Sequence, residues 1–274
     1  MNWSRVKTVA RTDLKQLLES KDFLLPMLVL GGIFFFVIPT VLLLAVTHVQ
    51  DANVVKQLST TLSVLPKSTQ DAIPASTPVG RTSYALAVFL LAPVAIVVPL
   101  TISTAVGAAT LVGERERGTG EFLAHSPADV REIYLGKLIA SLIPGYATTL
   151  VGFGVYSLVV NILVGPQVGG WFFPTAQWWL LMLWVVPPFL ALTLSIVLRL
   201  SARVKSTAAA QQASGLVTLP LIMVAYSQAT GALFGAKDLG IIIGAVAWVI
   251  AIVGLQRGMK AVSRARLLGV ADGI

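Results

Sequence analysis

The sequence predicts an all-α membrane protein with six transmembrane helices and both termini on the cytoplasmic side. Three observations predict it. The chain of 274 residues is 56% hydrophobic and only 12% charged, with a mean hydropathy of +0.84, which leaves too little polar surface for a soluble domain of that length. It contains six apolar runs without a charged residue, each near the ~20 residues that a helix needs to cross the hydrocarbon core. Lysine and arginine gather in the segments that six such crossings leave on one side.

Residues 1–22 place Trp3, Val6, Ala10, Leu14, Leu17 and Leu18 at helical spacing, with Arg11 and Lys15 on another face. This predicts an amphipathic helix lying on the inner membrane surface, its cations near anionic lipid headgroups. An ordinary solvated helix is the plainer alternative. The first span covers 23–47. It is too long, and too far from the start of the chain, to read as a cleavable signal.

The loop 48–83 carries Val54, Val55, Leu58, Leu62 and Leu65 on one stripe, and Pro66, Pro74 and Pro78 act as helix breakers after it. A small helical cap and a simple spacer both fit it. The second span covers 84–112, the third 138–164 and the fourth 178–198. Trp171, Phe172, Phe173, Trp178 and Trp179 fall at the predicted outer boundary, as an interfacial belt would. The fifth span, 212–234, and the sixth, 239–255, are divided only by the stretch from Gly235 to Lys237 and Asp238, and a tail runs from 256 to 274. No linker, low-complexity tract or repeat separates a second unit, so the reading is a single domain over 1–274.

Sixteen of the 20 basic residues lie on one side. They fall before the first span, between the second and third, between the fourth and fifth, and after the sixth. Lys56, Lys67, Arg81 and Lys237 lie on the other. All four inner segments agree, which sets both ends in the cytoplasm of a plasma or inner cell membrane.

Several functions are disfavoured. The net charge of +8 reflects the orientation bias and needs no nucleic acid. There is no cysteine, and His48 and His125, the two histidines, lie outside the apolar runs. A metal site or a serine–histidine relay within the bilayer is therefore not expected. Ser214, beside Gly215, has no histidine or lysine at membrane depth to activate it, and small-residue helix packing accounts for it. No glycine-rich phosphate loop of the G-x-x-x-x-G-K-[ST] type occurs, so any use of ATP falls to another chain.

The most informative stretch is the inner connection, 113–137. Glu114, Arg115, Glu116 and Arg117 can extend the second helix beyond the bilayer, and Gly118 and Gly120 can end it. Thr119 can cap a short helix with Glu121 in its first turn. Phe122 and Leu123 then stand as bulky apolar side chains among charges, the pattern of a partner surface. Ser126, Pro127 and Asp129 predict the start of a new helix, with serine as cap and proline at the first position. Together they describe a lever tied at both ends to membrane helices; a basic loop that only fixes orientation is the simpler reading.

Glu114 through Thr119 and Glu121, then Ser126–Pro127 and Leu135–Gly136–Lys137, resemble the permease subunits of type-2 ATP-binding-cassette exporters. Gln211–Gln212 ahead of Pro220, and the tail from Ser263 and Arg264 through Arg266 to Leu268, add support. Gly120 departs from the pattern, because relatives more often carry an apolar residue there. The resemblance implies that the N-terminal helix is a connecting helix and that Thr119 to Ala124 is a coupling helix seated in a separate ATPase. Glu114, Arg115, Glu116, Gly118, Thr119, Glu121, Phe122 and Leu123 would make that connection. It further implies two ATPase copies holding ATP and magnesium, and a second permease, identical or related. No cofactor is implied on this chain.

Within that reading, the polar residues of two proline-bearing spans are candidates for the translocation path. They are Thr101, Ser103 and Thr104 after Pro93 and Pro99, and Thr218, Tyr226, Gln228 and Thr230 around Pro220. The expected cargo is a hydrophobic or amphipathic small molecule or lipid moved outward. Sodium or another ion, an ATP-independent carrier or channel, and a scaffold subunit that moves nothing stay open as alternatives. Ion-coupled carriers usually hold charge at mid-membrane, whereas the acids and bases here lie in loops or at helix ends.

Overall fold

The computed structural model describes residues 1–49, 60, 67–71, 73–116, 126–201, 212 and 239–261, and these form helices and connecting turns without a strand. Among the described residues, five helical stretches are long and apolar enough to cross a membrane: Lys21–His48, Pro78–Ala109, Val130–Leu163, Ala176–Leu200 and Gly240–Met259. They correspond to the first, second, third, fourth and last predicted spans. The remaining predicted span, 212–234, and the apolar stripe of the 48–83 loop lie outside the described residues apart from single positions.

The N-terminal helix, Trp3–Glu19, is capped by the Asn2 side chain, which accepts from the Ser4 N–H. Its stripe divides in two. Val6 and Ala10 are buried against the third span, while Trp3 and Leu18 remain 56% and 54% exposed. Ser20 is extended (φ −86°, ψ 112°) and makes an elbow between this helix and the first span.

The second span starts earlier than its hydropathy predicts. Its helix begins at Pro78, with Thr77 Oγ1 accepting from the Gly80 N–H at 3.0 Å. Proline suits the first helical position because that N–H has no intrahelical partner. Pro78 therefore opens a helix, contrary to the breaking role that its sequence context predicts. Thr82, Ser83 and Tyr84 are buried in it.

This span is discontinuous. A π turn at Leu86–Leu90 leads into a three-residue turn at 91–93, and a second helix runs over Val94–Glu116. The Leu91 N–H bonds back to Leu86 O, and the Ala92 N–H bonds to Phe89 O. An α-helix would have directed them to Ala87 O and Val88 O. Those two carbonyls are instead taken by aromatic donors from neighbouring spans, Tyr156 Oη to Ala87 O and Trp178 Nε1 to Val88 O at 3.0 Å. Unpaired carbonyls inside a membrane are costly, so the break and its two donors form one arrangement.

Around the break lies a buried aromatic cluster. Trp178 stacks on Phe153, with centroids 5.7 Å apart and planes 8° apart, and meets Phe173 edge-on at 5.0 Å. Asn161 ties in the chain after the third span: its Oδ1 accepts from the Phe172 and Phe173 N–H groups, both at 3.0 Å. The predicted aromatic belt therefore splits. Phe173 and Trp178 are core, while Trp171 is 73% exposed and Trp179 is also exposed.

The third helix, Val130–Leu163, has 34 residues. At 1.5 Å per residue that is ~51 Å, well beyond the ~30 Å of a hydrocarbon core. Its first turns therefore have length to spare for contacts beyond the bilayer.

Candidate functional site

Two regions bear on the predicted functions, and the first begins where the 113–137 connection meets the third helix. The helix leading into that connection reaches Glu116, which includes Glu114 and Arg115 in it. Gly118, Thr119, Glu121, Phe122 and Leu123 lie outside the described residues. Where the chain is next described, the predicted cap is corrected. Ser126 does not cap the helix; Asp129 does, and the first helical residue is Val130. Asp129 and Glu132 form a capping box, in which Glu132 Oε2 accepts from the Asp129 N–H at 3.0 Å. A carboxylate in the third helical position reaches back to the cap, which serine and aspartate spaced as Ser126 and Asp129 would have placed one turn too early.

Glu132 does more than cap. Its Oε1 accepts from the Asn2 N–H at 2.6 Å, and Arg5 Nη1 lies 3.7 Å from Oε2 while donating to Pro127 O at 2.7 Å. About one turn further on, Gly136 allows the N-terminal helix to approach closely: a Cβ there would lie 2.7 Å from Val9 Cβ and 3.1 Å from Val6 O. Lys137 is wholly buried, and its Nζ pairs with Asp13 Oδ2 at 3.2 Å. Asp13 is itself buried on the same face as Val6 and Ala10. Cap, glycine and ion pair thus fasten the N-terminal helix along the opening turns of the third span.

The predicted path residues separate. Ser103 is fully buried against Gly145 of the third helix, where an added Cβ would strike Ser103 Oγ and lie 2.7 Å from Pro99 O. One turn further on, a Cβ at Gly107 would lie 2.9 Å from Leu194 Cδ2 and 3.6 Å from Ser141 Oγ. Small residues spaced four apart on both helices let membrane helices approach closely. Ser103 thus sits in a helix-packing seam. Gly145→Val is expected to cost about 1–3 kcal/mol through overpacking, read as a lower unfolding midpoint of the purified protein.

Thr104 is buried and donates to Leu100 O at 2.7 Å. Thr101 is exposed and donates to Val97 O at 2.8 Å. Thr218, Tyr226, Gln228 and Thr230 lie outside the described residues.

Thr101 opens onto the second region, a groove of about 350 Å³ between the elbow at Ser20, the start of the first span and the second span. Leu17 and Leu18 form one wall, Met27 and Leu30 another, and Ile102 and Val106 a third. Among the described residues, Asp22 and Thr101 supply its polar side chains.

Sequence reasoning missed Asp13, Glu132 and the two aromatic donors. Asp13 carried a signal, because an acid three residues after Ala10 lies on the apolar stripe itself. A lone acid on a buried face calls for a partner, and Lys137 stands within the connection as a candidate for it.

Helices of this length and apolarity, packed through small residues, define a multi-pass membrane protein. A family model described as ABC-2 family transporter protein matches residues 7–239, and the chain belongs to that family. Among curated proteins no match to the chain is found. The chain is thus a permease component of an ABC transporter, a membrane transport part that is not itself catalytic. No cofactor is implied on it, and permeases of this family typically pair with an ATPase subunit.

Proposed function

We propose that this chain is the membrane subunit of an exporter that moves a hydrophobic or amphipathic small molecule or lipid outward, driven by ATP hydrolysis on a separate subunit. The reading takes six spans, both termini in the cytoplasm, and a coupling helix over Thr119 to Ala124 that seats Phe122 and Leu123 in the ATPase. Two ATPase copies, with ATP and magnesium, would act on a pair of permeases.

The observation that carries this reading is the fastening of the N-terminal helix to the third span. The capping box, Gly136 and Lys137, which pairs with Asp13, lie within thirteen residues of Ala124, where the predicted coupling helix ends. A displacement received by that segment would pass directly into the first turns of the third span, and with them into the N-terminal helix and the elbow. The neutral composition of the spans favours an amphipathic cargo over an ion-coupled mechanism.

The test is co-purification and transport with the ATPase of the complex. Phe122→Ala is expected to weaken ATPase binding by about 2 kcal/mol or more, ~30-fold, as loss of a buried aromatic anchor does. Outward transport should fall accordingly while the permease itself still assembles. Uphill flux by the isolated polypeptide, or unchanged transport in Phe122→Ala, would overturn the proposal.

A further inference from the structure

We propose that the groove between the Ser20 elbow, the first span and the second span binds a cationic amphiphile entering from the adjacent leaflet; this deepens the permease reading and rests on it. Three properties of the groove select that ligand.

The first is its polarity. The two polar side chains on its walls among the described residues, Asp22 and Thr101, both present acceptors. Asp22 lies in the first turn of the first-span helix, and no ion pair engages it among the described residues. The Thr101 hydroxyl gives its proton to Val97 O, which leaves its lone pairs free to accept. Ammonium brings a positive charge and three donors to an unpaired carboxylate such as Asp22. A phosphate headgroup would bring negative charge against Asp22. The cations nearby do not reverse this, since Lys15 pairs with Glu19 at 3.8 Å and Lys21 is exposed and not among the groove walls.

The second is shape. From Asp22 to Leu30 the wall runs eight residues along one helix, ~12 Å at 1.5 Å per residue, with the acid at one end and Met27 and Leu30 beyond it. Polar head and apolar body are therefore separated along the direction in which an amphiphile lies. The volume of about 350 Å³ falls in the lower part of the roughly 300–1,000 Å³ typical of small-ligand sites.

The third is where its walls are attached. Leu17 and Leu18 belong to the N-terminal helix, which is fixed to the third span through Asp13 and Lys137, and Pro144 of that span also lines the groove, whereas the other walls belong to the first and second spans. Motion at the Ser20 elbow changes the width of the groove. That places the site where a conformational change could admit or expel its ligand.

Photolabelling of the full chain in zwitterionic nanodiscs tests this, using a long-chain alkyl amine with a diazirine in its tail and the alcohol of the same tail. The amine is expected to label peptides containing Met27 and Ile102. Asp22→Asn should reduce amine labelling about tenfold without changing labelling by the alcohol, and Asp22→Glu should retain both. Thr101→Trp, which places a large side chain on the groove wall, should remove both. Equal labelling by amine and alcohol that ignores Asp22→Asn overturns the proposal. So does labelling spread evenly over the exposed Ile250 and Val253 face of the last span, or preferential labelling of the groove by a diazirine phosphatidylcholine. ATPase co-purification, measured in the same preparations, separates the two proposals: its failure in the unaltered protein sinks the permease reading and leaves the labelling map standing.

Discussion

Asp13→Ala is expected to destabilise the protein by about 3–5 kcal/mol, because it removes a carboxylate that pairs with a wholly buried ammonium. Lys137 has no exposed surface, and its ammonium lies 3.2 Å from the Asp13 carboxylate. Removing both charges should be far milder. In Asp13→Leu/Lys137→Met, a pair of apolar side chains occupies the same contact, and such replacements are often neutral or stabilising. Reversible unfolding by steric trapping, compared across the two single variants and the double, gives the coupling between the sites. Lys7→Ala serves as the exposed reference. An Asp13→Ala protein as stable as Lys7→Ala would show that the pair does not fasten the N-terminal helix.

Trp178→Ala should cost a similar 3–5 kcal/mol, for a different reason. Its indole is fully buried, stacked on Phe153 and edge-on to Phe173, and donates to Val88 O. Trp178→Phe separates packing from hydrogen bonding, since it keeps most of the ring and loses the donor. Hydrogen bonds between membrane helices average about 0.6 kcal/mol, so Phe at this position should retain most of the stability. Tyr156→Phe, which removes the donor to Ala87 O, should match it. Equal losses for Trp178→Ala and Trp178→Phe would reverse this ranking and make the freed carbonyls the dominant contribution.

Much of this architecture was legible in the residues because a bilayer imposes a coarse rule. Uninterrupted apolar runs revealed the first, third, fourth and last spans to within a few turns, and the family match agrees with the family that the residues from 114 to 137 resemble. Helix ends were harder, since hydropathy ignores hydrogen bonds. Pro78 and Asp129 begin helices for local backbone reasons that an apolar average cannot register. The aromatic residues near 171–179 show a different limit: composition places them at a boundary, but only packing decides that Trp178 turns inward while Trp171 does not. Ser103 and Thr101 are two residues apart and similar in chemistry, yet one fills a seam and the other faces a groove. Helical phase separates them, and phase acquires meaning only once the neighbouring helix is in place. Phe122 and Leu123, which we propose seat in the ATPase, lie outside the described residues, and Phe122→Ala tests that role.

The interruption at 91–93 makes the second span two rods in series. The rod from Pro78 to Leu90 is pinned at its end by a tyrosine and a tryptophan from two other helices. The rod from Val94 to Glu116 runs into the 113–137 connection, and among the described residues no aromatic donor pins it at the joint. Torque applied near Glu116 can therefore be absorbed at the joint as tilt, leaving the aromatic end of the bundle stationary while the opposite end swings.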